Sequence, residues 1–580
     1  MHKLFPPLRH RSVLRVPLLR AGFCISTLLV AAFSSIAQPQ RPNFNRAQTF
    51  DAQHYVIRAS FDRKNKKVFG DTTVSLKPLN NNFAAIELDA VDLNFESVKL
   101  EPAGTDLKYK TLPGKIVVTL DRAYTPADVV SIRLKYTATP KMGVYFVPAG
   151  RTANTIHSDQ IWTQGEPDEA RHWFPSFDFP SDKATTEQYI TAEKGETVVG
   201  NGELVEKVEN NNGTDTWHYK MPVPLPVYLV SFIVGKYVKL EETYKNIPLG
   251  FYIYPGREQT ARRAYPDTVD MMRYLEEKTG VAFPYNKYDQ TVVANFTAGG
   301  MENITATTMA DSFIFLADEE FGRSQVMDLV SHELAHSWFG NLVTCRNWAE
   351  LWLNEGFATF MEAAYREHKY GRENYIAKVL DDAVQYIIND AISGRRHSLF
   401  NLRANKVSEL FDNSSVTYQK GGAVVHTLRE QVGDQAFWRG VNIYLNRHKF
   451  ASVESTDLRA AMEEASGQDL KWFFDQWVYS GGSPKLTVRT IYDQRTKKLS
   501  IVVIQTQKPD ALTPAVFRLP LEVIVKTSGS DKAERIDVTK RTQTFTFNAA
   551  TRPTEIVVDP QYKIPIKRSD IRPIETAKTR

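Results

Sequence analysis

Hydrophobic and polar residues alternate through much of the first 240 positions: Val68, Gly70, Thr72, Val74 and Leu76 share one parity, as do Ile132, Leu134 and Tyr136. A period of two belongs to a strand with one buried face, and Asn210-Asn211-Asn212-Gly213 reads as a turn between residues 205–208 and 217–219. Past about residue 255 the period lengthens. Val269, Met272 and Leu275 form a helical stripe that stops at Gly280, and a strand-like run at 291–296 precedes Gly299-Gly300. Val326, Leu329, Val330 and Phe339 predict a helix ending at Gly340-Asn341, and residues 351–370 predict another ending at Gly371. Gly481-Gly482-Ser483-Pro484 breaks the chain, after which Leu486, Val488, Thr490 and Tyr492 alternate and residues 498–504, 517–525 and 555–558 read as further strands. The expected fold is multidomain α+β: an N-terminal antiparallel β-sandwich over 48–245, a mainly helical domain over 246–480 and a C-terminal β-sandwich over 481–580.

The first 37 residues change this picture. Five basic residues and no acidic one precede or accompany an apolar run at 21–33, and Ser35-Ile36-Ala37 is a small-x-small cleavage pattern, so 1–37 reads as a secretory signal peptide and 38–47 as a mature N-terminal tail. The run falls short of the roughly 20 apolar residues that span a bilayer, so no stable membrane insertion is expected after cleavage. Cleavage takes five of the 72 basic residues and leaves 67 against 67 acidic ones; the formal charge of +5 belongs to the leader. A neutral mature chain gives no electrostatic reason to expect nucleic acid as a partner. Of two cysteines only Cys345 survives, so no internal disulfide forms even though the expected location, periplasmic or secreted, permits one. Cys345 is expected to be a buried structural thiol.

The chemistry sits in His332-Glu333-Leu334-Ala335-His336, followed nineteen residues later by Glu355 in Asn354-Glu355-Gly356. On a helix, positions i and i+4 share a face, so His332 and His336 can turn ring nitrogens to one ion, with Glu355 as third ligand. A hydrolytic zinc site holds three protein ligands and a water whose pKa falls from about 15.7 toward roughly 7. Glu333, beside the ion without binding it, is placed as the general base and predicts peptide-bond hydrolysis with one Zn²⁺ per chain.

Three stretches in order, Gly299-Gly300-Met301-Glu302-Asn303, then residues 332–343 with Asn354-Glu355-Gly356-Phe357-Ala358, then Phe411-Asp412 with Tyr418-Gln419-Lys420-Gly421, resemble the aminopeptidase N family of zinc gluzincins. The resemblance covers the mature chain up to the second sandwich and implies a thermolysin-like catalytic domain in a short form, without the C-terminal helical domain of larger members. It implies that Glu302 and Glu166 receive the free ammonium of a peptide substrate, that Tyr418 stabilises the oxyanion, and that Gly299, Gly300, Met301 and Asn303 line the substrate groove. Ala298, small at a position that helps line the pocket for the first side chain, implies a roomy pocket. An endopeptidase would need open groove where Glu302 and Glu166 stand, and the related epoxide hydrolase carries a glutamine at the Glu166 position. A non-catalytic relative would be expected to lack a ligand or the base, and none is missing.

Overall fold

The computed structural model describes residues 46–152, 155–403 and 407–577; the expected signal peptide, 1–37, and most of the expected tail, 38–47, lie outside them. An eight-stranded sheet dominates the N-terminal part, and the alternation read above is its buried face: Val68, Val74, Leu76, Ile132 and Leu134 are all fully buried. Each such side chain contributes about 1.5–3 kcal/mol by leaving water. The turn at 210–213 joins Glu203–Glu209 to Thr214–Leu225, as expected. The sheet departs from the antiparallel expectation at its centre, where Phe50–Asp62 pairs in parallel with Ala184–Glu193. Parallel neighbours need a long crossover. Here the intervening chain contributes strands to three smaller sheets, among them the one containing Gln160–Thr163 just ahead of Glu166.

The central region is less purely helical than the periodicity implies. It opens with a five-stranded mixed sheet in the order Val238–Tyr244, Ile247–Ile253, Tyr288–Val293, Ala306–Ala310, Gly300–Met301. Two of the three inner strands, Tyr288–Val293 and Ala306–Ala310, are buried at every position, so they carry no alternation to read. For that reason the strand expected at 291–296 begins earlier and ends at Val293. The first hairpin, Val238–Tyr244 with Ile247–Ile253, straddles 245–246, where the division between the first two domains was expected. The edge pairing of Gly300 with Met309 and Met301 with Thr308 sets the Gly-Gly-Met-Glu-Asn segment beside the helices that follow.

Those helices are Arg323–Ala335, Trp352–Tyr370, Arg372–Ile392, Gly421–Val432, Asp434–Arg447 and Ser455–Ser466. The second ends where its glycine predicts, with Gly371 N–H donating to Glu367. The first stops at Ala335 rather than at Gly340, because the chain folds back at once: Asn341 N–H donates to His336 O at 3.0 Å and Gly340 N–H to Val343 O at 2.8 Å. Two sheets close the protein, one built on Lys485–Asp493 and Lys498–Gln505, the other on Leu519–Lys526, Asp531–Val538 and Glu555–Val558. Leu486, Val488, Leu499, Ile501, Leu519, Leu521 and Val523 are buried on alternate positions, the signature of facing sheets. No helix among the described residues is long and apolar enough to cross a membrane.

Candidate metal centre and active site

The helix Arg323–Ala335 runs from an exposed first turn into the core, so that His332 and Glu333 on its last turn, and His336 just after it, are buried. Glu355 stands in the first turn of Trp352–Tyr370, where a negative charge suits the positive end of the helix dipole. His332 Nε2 lies 3.2 Å and His336 Nε2 3.5 Å from Glu355 Oε2, and one ligand atom from each of the three falls within 4.8 Å of the others. Both rings are tied from behind. The Nδ1–H of His332 donates to Glu362 Oε1 at 2.8 Å and that of His336 to Phe339 O at 2.9 Å, which leaves both Nε2 atoms facing Glu355. Two imidazole nitrogens and a carboxylate, oriented by acceptors behind them, fit a divalent transition metal.

Burial would raise both acids of this cluster, but His336 and His332 hold Glu355 well below the usual carboxylate range, and Lys378 with His332 does the same for Glu362. Lys378 Nζ sits 2.8 Å from Glu362 and 2.8 Å from Asp382. The sequence reading missed Glu362 and Lys378. Glu362 follows Glu355 by seven residues, two turns along one helix face, and that spacing was its available signal.

Glu333 is 4% exposed and presses against the edge strand: a Cβ on Gly300 would fall 2.2 Å from its Oε1. Only glycine admits the carboxylate there. Burial pushes Glu333 up to about 8 while His332 and His336 pull it down. Tyr418 lies in a single π-helical turn, Val416–Lys420, and its ring stacks on that of His332 with centroids 6.0 Å apart and planes 14° apart. A Cβ on Gly421 would stand 2.8 Å from the Cα of Gly356, so the helix that follows Tyr418 meets the Glu355 helix backbone to backbone. This contact carries the tyrosine to the His332, His336 and Glu355 cluster.

Glu302 and Glu166 close the other end. A carboxylate oxygen of each, together with one of Glu355, falls within 4.8 Å of the others, although Glu166 comes from the N-terminal β region and Glu302 from the loop after Gly300–Met301. Burial, then the neighbouring carboxylates, pushes Glu166 well above its ordinary range; burial raises Glu302 too, against the pull of His336. Both retain a buried oxygen, Oε1, with no hydrogen-bond partner. Asn341 Nδ2 fixes the Glu302 backbone by donating to its carbonyl at 2.9 Å, and Gln164 Nε2 donates to Met301 Sδ at 3.2 Å.

A cavity of about 1200 Å³ joins the two ends, lined by Glu166, Ala298, Gly299, Gly300, Met301, Glu302, the metal-binding cluster, Glu333 and Tyr418. Asn303 is the exception among the expected groove residues. Its side chain is buried and donates to Thr308 Oγ1 at 3.1 Å, within the sheet. Cys345 is fully buried and its backbone N–H, not its thiol, is engaged, by Asn354 Oδ1 at 3.1 Å.

A buried His/Glu cluster behind a two-carboxylate stop defines a metallopeptidase type of site, and the relatives agree. Residues 263–477 match the peptidase family M1 domain and residues 51–229 the peptidase M1 N-terminal domain; the chain belongs to peptidase family M1. It is 27% identical over 449 residues to aminopeptidase 2 of Candida albicans, covering 76% of this chain and 48% of that protein. Over 338 residues it is 32% identical to aminopeptidase N of Streptomyces lividans, covering 56% and 38%, and over 411 residues 29% identical to glutamyl aminopeptidase of Bos taurus, covering 69% and 41%. The matched part thus spans half or less of the length of each of these three relatives.

Proposed function

We propose that this chain is a zinc-dependent aminopeptidase that removes the first residue from peptides. The observation that carries the reading is the pair Glu166 and Glu302, a half-buried and a buried carboxylate held together, each with a buried unpartnered oxygen, beside the metal-binding cluster. Like charges so placed are costly until a cation enters, and a free α-ammonium has the charge and the donors they lack. Extended peptide continuing past them would bury further carbonyls against negative charge, which argues for an exopeptidase.

His332, His336 and Glu355 would hold one zinc ion, which supplies a Lewis acid that acidifies water and polarises the scissile carbonyl. Glu166 and Glu302 bind the amine and so fix which peptide bond lies against the cluster. Glu333 takes a proton from water at its carboxylate and returns it to the leaving amine. The Tyr418 hydroxyl donates to the oxygen on which charge develops. Glu362, through His332 Nδ1, keeps that ring oriented. Export to a periplasmic or extracellular space belongs to the same reading, supported by the leader pattern of residues 1–37.

Three fluorogenic substrates test the activity: a free aminoacyl amide, its N-acetyl counterpart and an internally quenched peptide with a blocked N-terminus. Hydrolysis of the first alone, abolished by a chelator and restored by zinc, is expected. Equal hydrolysis of the acetylated compound would remove the exopeptidase assignment.

A further inference from the structure

The cavity that holds Glu166 and Glu302 is also lined by a group of rings. Trp162 precedes Glu166 by four residues, so the chain between them spans at most about 14 Å. Tyr145 stacks on Trp162 with centroids 4.3 Å apart and planes 18° apart, and Phe296 meets Trp162 edge-on at 5.4 Å and 87°. Tyr145, Trp162, Phe296 and Ala298 all line the same cavity as Glu166 and Glu302. Trp162 and Phe296 are 3% and 7% exposed, and Tyr145 is half-buried, so Tyr145 is the ring with surface left to offer. Ala298 adds only a methyl group to the wall.

The polar atoms of Tyr145 and Trp162 and the acids Glu169 and Asp168 beside them are already engaged. Tyr145 Oη donates to Glu169 Oε2 at 2.9 Å, and the same oxygen accepts the Gly143 N–H at 3.0 Å. Trp162 Nε1 donates to Ala294 O at 3.2 Å, and Asp168 lies 3.5 Å from Arg171. The shelf is therefore fixed in place, and a basic side chain arriving there meets carboxylates that have partners.

We propose that Tyr145, backed by Trp162 and Phe296, is the wall that selects the side chain of the first substrate residue, and that it selects an aromatic one. The inference rests on the aminopeptidase reading above and adds its substrate class. A ring entering against Tyr145 extends the existing stack, whereas alanine leaves the shelf uncovered and lysine gains ring contact but finds Glu169 and Asp168 already partnered.

The test uses the full zinc-loaded chain and kcat/KM for phenylalanyl, leucyl, alanyl and lysyl amides. The phenylalanyl amide is expected to be fastest, and Tyr145→Ala to lower the phenylalanyl-to-alanyl ratio by about threefold to tenfold, the scale of one aromatic pair. Tyr145→Leu, which keeps bulk and fold, is expected to lower the same ratio in the same direction, and Ala298→Met to penalise the phenylalanyl amide more than the alanyl one. A lysyl or alanyl amide cleaved as well as the phenylalanyl one, or a ratio unchanged in both Tyr145 variants, overturns the proposal while leaving aminopeptidase activity intact. Absence of hydrolysis for every free aminoacyl amide overturns both.

Discussion

At the metal end of the cavity the carboxylates have cationic or imidazole partners: Glu355 faces His332 and His336, and Glu362 faces His332 and Lys378. At the amine end Glu166 and Glu302 each keep a buried oxygen with nothing to accept from, and His336 Nδ1, 3.9 Å from Glu302, is beyond hydrogen-bond reach. The protein holds the first pair of acids down and the second pair up. The difference teaches which part of the site is complete in the chain alone. Residues at the metal end orient one another, so an ion meets an arranged set of donors. The amine end is an unfinished electrostatic arrangement, and on the proposed reading its missing cation is the substrate's own ammonium, which would link binding to the identity of the peptide terminus.

Substitutions can break that comparison or sharpen it. The largest effect is expected where the two ends meet: Glu333→Gln should cut kcat by about a hundredfold to ten-thousandfold while metal analysis still finds one ion per chain. Loss of the ion in that variant would assign Glu333 to the metal end instead. Next, Tyr418→Phe should lower kcat by about a hundredfold to a thousandfold with KM nearly unchanged, because its bond strengthens only as charge develops. A change confined to KM would contradict that role.

The amine end comes third. Glu302→Gln should reduce kcat/KM for a free aminoacyl amide by about a hundredfold and shrink the preference over the N-acetyl compound, with metal content intact. An undiminished preference would show that the unpartnered carboxylates do not read the ammonium. The smallest effect is expected behind the metal, where Glu362→Gln should weaken metal affinity by roughly tenfold to a hundredfold in a chelator competition. If the two ends are separate devices, that variant, once saturated with zinc, keeps its discrimination between free and acetylated substrates. Parallel loss of both properties would mean that the two ends act as one network.

The metal end was legible because its residues are close in sequence. Four of them lie within 24 positions, and helical geometry alone brings i and i+4 together. Glu362 was within reach by the same logic, seven residues beyond Glu355. Tyr418, Glu302 and Glu166 were named from family resemblance, not from spacing, since nothing local distinguishes Tyr418 among 25 tyrosines. Asn303 shows the limit of that route: it sits in the motif, yet its side chain is used inside the sheet.

By itself the sequence determined the half-buried strands, the start and end of the Glu355 helix, and the approach of His332 to His336, all of which depend on periodicities of two or 3.6 residues along a continuous stretch. Only the tertiary structure decided the parallel pairing of Phe50–Asp62 with Ala184–Glu193, the fully buried inner strands of the catalytic sheet, and the early end of the His332 helix. It alone brought Glu166 to Glu302 and Tyr418 to His332. Uniform burial erases alternation, and contacts between residues 136 or 86 positions apart depend on how sheets and helices pack, which no local period encodes.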